Sequence, residues 1–218
     1  QDLGQGLAAD PANGGDSHTI VRCHFLRCSD SGIAVGSYNA IDWHVWDSLF
    51  EDCKYGLRSY AGNFHVYRSL FLRSTNADIL CSDGGAYYGI RGNMSIGSKA
   101  FVEGFSTLET IQGNTVIDSL DPNPIHLSGI GPMALLDNLI VSRADATNGP
   151  VVKVDANLLS VGNTFTVEIP IAVTTPYRSI TMEDQVVSRD SFGLPPAMVP
   201  RFLPKSTHPV IEVAAGAD

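Results

Sequence analysis

The stretch His44-Val-Trp-Asp-Ser-Leu-Phe-Glu-Asp-Cys53 recurs 21 residues later as His65-Val-Tyr-Arg-Ser-Leu-Phe-Leu-Arg-Ser74. Val45 matches Val66, Ser48 matches Ser69, Phe50 matches Phe71, and Cys53 matches Ser74. Repetition at periods of about 20 to 50 residues marks a solenoid, in which each repeat buries its apolar side only against its neighbours.

With Val45 as anchor, equivalent positions are Ile20, Val66, Ile90, Ile111, Leu135 and Ser160, in steps of 21 to 25 residues. Three residues after each anchor stand Cys23, Ser48, Ser69, Asn93, Asn114, Asn138 and Asn163. Five after it stand Phe25, Phe50, Phe71, Ser95, Val116, Ile140 and Phe165, a mostly apolar column. A third column runs Cys28, Cys53, Ser74, Ser98, Ser119 and lapses at Arg143. Each repeat has two or three short β-rich runs separated by Gly, Asn, Asp and Ser, and it lacks the several leucines of a leucine-rich repeat. The expected fold is all-β: a parallel β-helix of about seven coils over 19–176. Aligned Asn side chains form one corner, and Phe25, Phe50 and Phe71 stack inside.

At Gly113-Asn114-Thr115-Val116, Gly162-Asn163-Thr164-Phe165 and the Phe-x-x-Cys pairs Phe25/Cys28 and Phe50/Cys53, the chain resembles the right-handed parallel β-helix proteins of the pectate-lyase-like superfamily. The resemblance covers roughly residues 19–176 and implies a right-handed solenoid. It does not fix an activity, since that superfamily holds lyases, hydrolases, epimerases, tailspikes and adhesins.

Residues 1–18 read as a lead-in segment, a remnant of an earlier coil without a capping helix. Residues 177–218 read as an irregular Pro-rich tail or linker. Its end, from Pro209 to Asp218, looks like the opening of a further β-helix in a longer parent protein. The net charge of −9 excludes general nucleic-acid binding, which needs a basic face. No apolar run approaches the ~20 residues of a membrane span. Cys28 and Cys53 share a column, as stacked thiols or as a disulfide, and no Cys-x-x-Cys metal motif occurs. Asn93-Met94-Ser95 is a glycosylation sequon whose Asn is read as structural. Two columns, Arg22/Asp47/Arg68 and Arg27/Asp52/Arg73, read as exposed ion-pair ladders worth only ~0.2–1 kcal/mol per pair. The outer faces read as mostly polar, which counts against a spike held together by an apolar face.

Strand alternation sends the neighbours of a buried anchor outward. Coil two then presents Asp42, His44 and Trp46, coil three Asn63, His65 and Tyr67, and coil four Tyr87, Gly89 and Arg91. Aromatic rings, imidazoles and carboxamides suit a polysaccharide or oligosaccharide. Trp46, Tyr67, Asn63 and Tyr87 are the candidate binding residues. If the protein is a lyase, His44 or His65 is the base and Arg91 holds a uronate carboxylate; if a hydrolase, Asp42 and Asp83 are the carboxylate pair. Against this stands the plainer reading, in which the rings shield the sheet and the histidines are surface polars. Calcium has no D-x-D-x-D motif to hold it, and no cofactor is expected. A second outward row, Arg58, Leu80, Val102, His126 and Lys153, shows no interpretable pattern. The functional expectation is an extracellular or cell-surface carbohydrate-active protein that binds, and in one version cleaves, a polysaccharide. The alternative is a non-catalytic structural or adhesive module.

Overall fold

The computed structural model describes residues 4–9, 15–36, 40–82, 87–143, 145, 150–167, 170–174 and 177–193. These form a parallel β-solenoid of about seven turns. Three eight-stranded sheets run its length, each strand pairing in parallel with its equivalent in the next coil. Sheet 1 runs from Gln5–Ala8 to Ile171–Val173, sheet 2 from Thr19–Val21 to Ser179–Met182, and sheet 3 from His24–Leu26 to Gln185–Val186. Coils are numbered 1 to 8 by their sheet 1 strand.

The anchors fall in one row of sheet 2, from Ile20 through Val45, Val66, Ile90, Ile111 and Leu135 to Ser160. That row continues to Thr181, and Gln185–Val186 extends sheet 3 in step with it. One more coil is therefore wound within the segment read as tail, and Gln5–Ala8 of the lead-in supplies the first strand of sheet 1. Residues 194–218 lie outside the described residues.

The corner between sheets 2 and 3 needs a left-handed backbone. It holds Arg22, Asp47, Arg68, Gly92, Gly113, Asp137, Gly162 and Glu183, with φ from 46° to 69°. A non-glycine residue there costs roughly 1–2 kcal/mol, so the glycines in coils 4, 5 and 7 answer a conformational demand. The charged columns coincide with these turns. Arg68 grips Asp47 at 2.8 and 3.1 Å, and Arg73 grips Asp52 at 2.6 and 3.1 Å. Arg73 also reaches the buried Glu51 at 2.6 Å.

Inside that corner a polar ladder climbs the solenoid. The Cys23 N–H donates to Ser48 Oγ, Ser48 N–H to Ser69 Oγ, and Ser69 N–H to Asn93 Oδ1. Above it each Asn Oδ1 accepts both the backbone N–H and the Nδ2 of the Asn one coil below, at 2.9–3.0 Å. Asp184 Oδ1 takes the same two bonds from Asn163, at 2.7 and 2.9 Å. The four asparagines are buried, the sequon residue Asn93 among them.

The core is graded by coil. Phe25, Phe50 and Phe71 stack at 4.9 and 4.8 Å, nearly coplanar, each pair adding about 0.5–1.5 kcal/mol beyond burial. Their rings run under Gly6, Gly32 and Gly56 of sheet 1, where a Cβ would come within 2.6–2.7 Å of the ring. In coil 4 both partners change together: Ser95 replaces the phenylalanine, and Asp78 replaces the glycine and accepts a hydrogen bond from Ser95 Oγ. Val116, Ile140 and Phe165 continue the column, all at most 1% exposed. Gly56→Ala should cost about 1–3 kcal/mol in a thermal or urea melt. Its Cβ would stand 2.6 Å from Phe71 Cε1 and 2.7 Å from the Asp78 carbonyl oxygen. Cys28 and Cys53 are free buried thiols, and Cys53 Sγ donates to the Phe25 carbonyl.

The outer faces are not mostly polar as expected. The outer row of sheet 3 carries Leu49, Leu70, Met94 and Leu139, with Ile96 beside Met94. The last coils of sheet 2 expose Leu159, Ile180 and Met182. The charged residues that gave the polar impression sit at the corners instead.

Candidate binding surface

Sheet 2 brings together most of the residues expected of a binding surface. His44 pairs with His65 and Trp46 with Tyr67, and in the next coil Gly89 pairs with His65 and Arg91 with Tyr67. Val45, Val66 and Ile90 beneath them are fully buried, so the alternate residues face outward as parity requires. His44, His65, Trp46, Tyr67 and Arg91 therefore share one face across coils 2 to 4.

The rings lie differently from a flat platform. Trp46 and Tyr67 stack face to face at 3.9 Å and 21°, and His44 and His65 lie 5.1 Å apart at 31°. The Arg68 guanidinium sits 5.0 Å from the Trp46 ring centre. Rings stacked along the solenoid axis turn their edges outward, so indole N–H, phenol O–H and imidazole nitrogens meet solvent while the inner faces cover each other.

His65 leans over Gly89, where a Cβ would meet its Nδ1 at 2.6 Å. Burial, seconded by the neighbouring His44, holds its imidazole below the ordinary value; Asp42 opposes and Arg91 assists. His65 is thus neutral near pH 7, the form a general base requires.

The other candidates divide. Asp42 is a left-handed turn residue (φ 58°), and its N–H donates to Asn63 Oδ1 at 2.6 Å, which spends that carboxamide oxygen on the backbone. Tyr87 is 53% exposed beside Leu108, one coil past Asn63. Arg91 is exposed, with no ion pair among the described residues. Asp83 lies outside the described residues, so its pairing with Asp42 has no geometry to support it.

The second row needs one correction. Val102 is fully buried, and Glu103 takes its outward place between Leu80 and His126. The backbone enters that strand one residue out of step with the expected parity. His126 then pairs with Asp155 at 3.4 Å, while Arg58 lies against Tyr60 at 3.9 Å and pairs with Asp30.

Two carboxyls escaped the sequence reading because they point inward. Glu109 occupies the inner row of Trp43, Phe64, Tyr88, Met133 and Leu158, near Cys81 Sγ (3.7 Å) and Ser106 Oγ (3.4 Å). Burial pushes Glu109 up to about 7, against the hydrogen bonds from Cys81 and Ser106. Burial likewise pushes Asp78 up to about 7, opposed by the hydroxyls of Ser74, Ser95 and Ser98. Asp78 Oδ1 has no partner at hydrogen-bonding distance, in keeping with a carboxyl that stays protonated. Both side chains are sealed in the core and cannot meet a solute.

Among the described residues no group of three or more His, Cys, Asp or Glu side chains is placed to hold a metal ion. The chain matches no protein-family model, no curated protein and no solved structure at a significant level.

Proposed function

We propose that this β-solenoid is a carbohydrate-binding protein of the cell exterior, with the outer face of sheet 2 in coils 2 to 4 as its binding surface. The observation that carries the reading is the shared register of His44, His65, Trp46, Tyr67 and Arg91. Neighbouring rows stand ~4.8 Å apart, so a few sugar units span the surface. Ring edges and imidazoles offer hydrogen bonds to hydroxyls, and Arg91 offers a charge to a uronate carboxylate. The resemblance to the pectate-lyase-like superfamily belongs to this reading. Should the surface also cleave its ligand, the neutral His65 is the base. The competing reading, a structural or adhesive module, draws on the 3.9 Å contact in which Trp46 and Tyr67 spend their faces on each other.

An array of neutral and acidic polysaccharides, read for binding, new reducing ends and unsaturated products, tests the proposal. Trp46→Ala should weaken any binding at least ~10-fold, the equivalent of about 1.4 kcal/mol. Gly89→Ala should displace His65 and weaken binding while leaving the melting curve nearly unchanged, since its Cβ meets only the end of a movable side chain. No binding to any polysaccharide, or binding indifferent to both variants, would favour the structural module.

A further inference from the structure

The outer face of sheet 3 carries a narrow apolar strip. Leu49, Leu70 and Met94 stand in register in coils 2 to 4, and Ile96 lies beside Met94. Met94 is 40% exposed; Leu49, Leu70 and Ile96 are half-buried. Strands ~4.8 Å apart and about three residues long give the whole sheet face roughly 300–400 Å². A stable subunit interface buries ~800 Å² on each partner. The strip is therefore suited to one extended chain and too small for a second copy.

The chain itself arrives at the border of that strip. The Val187 N–H still bonds the Phe165 carbonyl in coil 7. Two residues later Arg189 reaches back to Asp118 in coil 5, Nη1 to Oδ1 at 2.7 Å and Nη2 to Oδ2 at 3.2 Å, and to the Ser142 carbonyl in coil 6. Asp118 directly follows the sheet 3 strand Thr115–Ile117, and Ser142 directly follows Leu139–Val141. The chain has thus turned against its direction of winding and runs along the edge of sheet 3 toward coil 1. The anchor is firm, with the Arg189 and Asp118 side chains only 11% and 6% exposed.

We propose that residues 194–204, Leu-Pro-Pro-Ala-Met-Val-Pro-Arg-Phe-Leu-Pro, lie along this strip as a built-in cover, with Val199 and Phe202 over the row of Met94, Leu70 and Leu49. Prolines 195, 196, 200 and 204 favour a polyproline II course of ~3.1 Å per residue and three residues per turn. Pro196, Val199 and Phe202 then share one side at intervals of ~9.3 Å, close to twice the ~4.8 Å between coils. Eleven such residues reach ~34 Å, ample for the ~14 Å from coil 5 to coil 2. A proline-rich segment has few N–H donors to satisfy, so it settles against side chains on a face instead of extending a sheet edge.

Benzoylphenylalanine at position 70 of the full chain, irradiated and followed by tryptic peptide mapping, tests the proposal. Cross-links should appear within one chain, to the peptides 190–201 and 202–205, with a yield unchanged by dilution. Val199→Asp with Phe202→Asp should lower that yield at least ~5-fold, since a charge cannot be buried unpaired on an apolar strip. Cross-links between two chains that fade on dilution would make the strip an intermolecular contact and overturn the proposal. Cross-links elsewhere in the chain, none at all, or a yield indifferent to the two aspartates would overturn it as well. The same photoprobe at position 49 gives an independent reading if position 70 disturbs folding.

Discussion

Asn114→Leu should destabilise the protein by roughly 3–6 kcal/mol, read as a lower urea midpoint at constant slope. The leucine strands three buried groups at about 1–3 kcal/mol each. The Asn93 N–H and Nδ2 lose their shared acceptor, at 2.9 and 3.0 Å, and the Ile90 carbonyl loses the Nδ2 donor at 2.9 Å. A domain of ordinary stability, about 5–15 kcal/mol, would be brought close to unfolding. Asn114→Ser is the informative companion. Ser69 already fills this position in coil 3, its Oγ accepting the Ser48 N–H at 3.2 Å. Serine should therefore keep the backbone acceptor and cost no more than about half as much. Equal losses for leucine and serine would show that volume, and not the hydrogen-bond relay, sets the value of the column.

The second large effect is a loss of stability as pH rises. Asp78 and Glu109 titrate near 7 in the folded chain, against ordinary values of 3.8 and 4.5. A carboxyl with a raised folded value favours the native state most at and below its unfolded value. That advantage drains away as pH climbs from about 4 to about 7, because only the unfolded chain can ionise freely. The two shifts correspond to an upper bound on the order of 4 kcal/mol each. Exposed carboxylates such as Asp47 and Asp155, held low by Arg68 and by Thr174 respectively, pull the opposite way at lower pH. Urea midpoints should fall between pH 5 and pH 8. Asp78→Asn and Glu109→Gln should each flatten the slope and stabilise the chain at pH 8. A wild-type midpoint that did not move would mean that both carboxyls find a counter-charge in the folded protein.

The winding was legible in the sequence because it rests on columns of side chains that meet only their own kind. Ile20 to Ser160 pair as the spacing requires, and the parity that turns His44, Trp46, His65 and Tyr67 outward follows from buried valines. The eighth coil hid behind a polar anchor: Thr181 lies one 21-residue step past Ser160, with Asp184 and Val186 at the polar and apolar columns. The register was present, but an apolar residue was demanded of it. Ring orientation was beyond reach, since parity says which way a side chain leaves the sheet and nothing about the tilt of its plane. The buried carboxyls were masked by the habit of sending every charge outward. At Asp78 the tell was a double change, glycine to aspartate and phenylalanine to serine. It becomes visible only once sheets 1 and 3 are known to share that part of the core.

The Asn ladder has a direction. Each carboxamide receives two protons from the coil below through its oxygen and passes one upward from its nitrogen, while its second N–H ties down a carbonyl such as Val66 or Ile90. Asp184 receives in the same way, from Asn163 at Oδ1 and from Ser160 at Oδ2, but a carboxylate has no proton to hand on. It therefore acts as a chain stopper in the polymer chemist's sense, where every asparagine is a propagating unit. Lengthening the solenoid by copying a coil would accordingly succeed at any junction between Asn93 and Asn163, where giver and receiver are the same residue type. A coil stacked above Asp184 would find nothing on offer there until that position became asparagine.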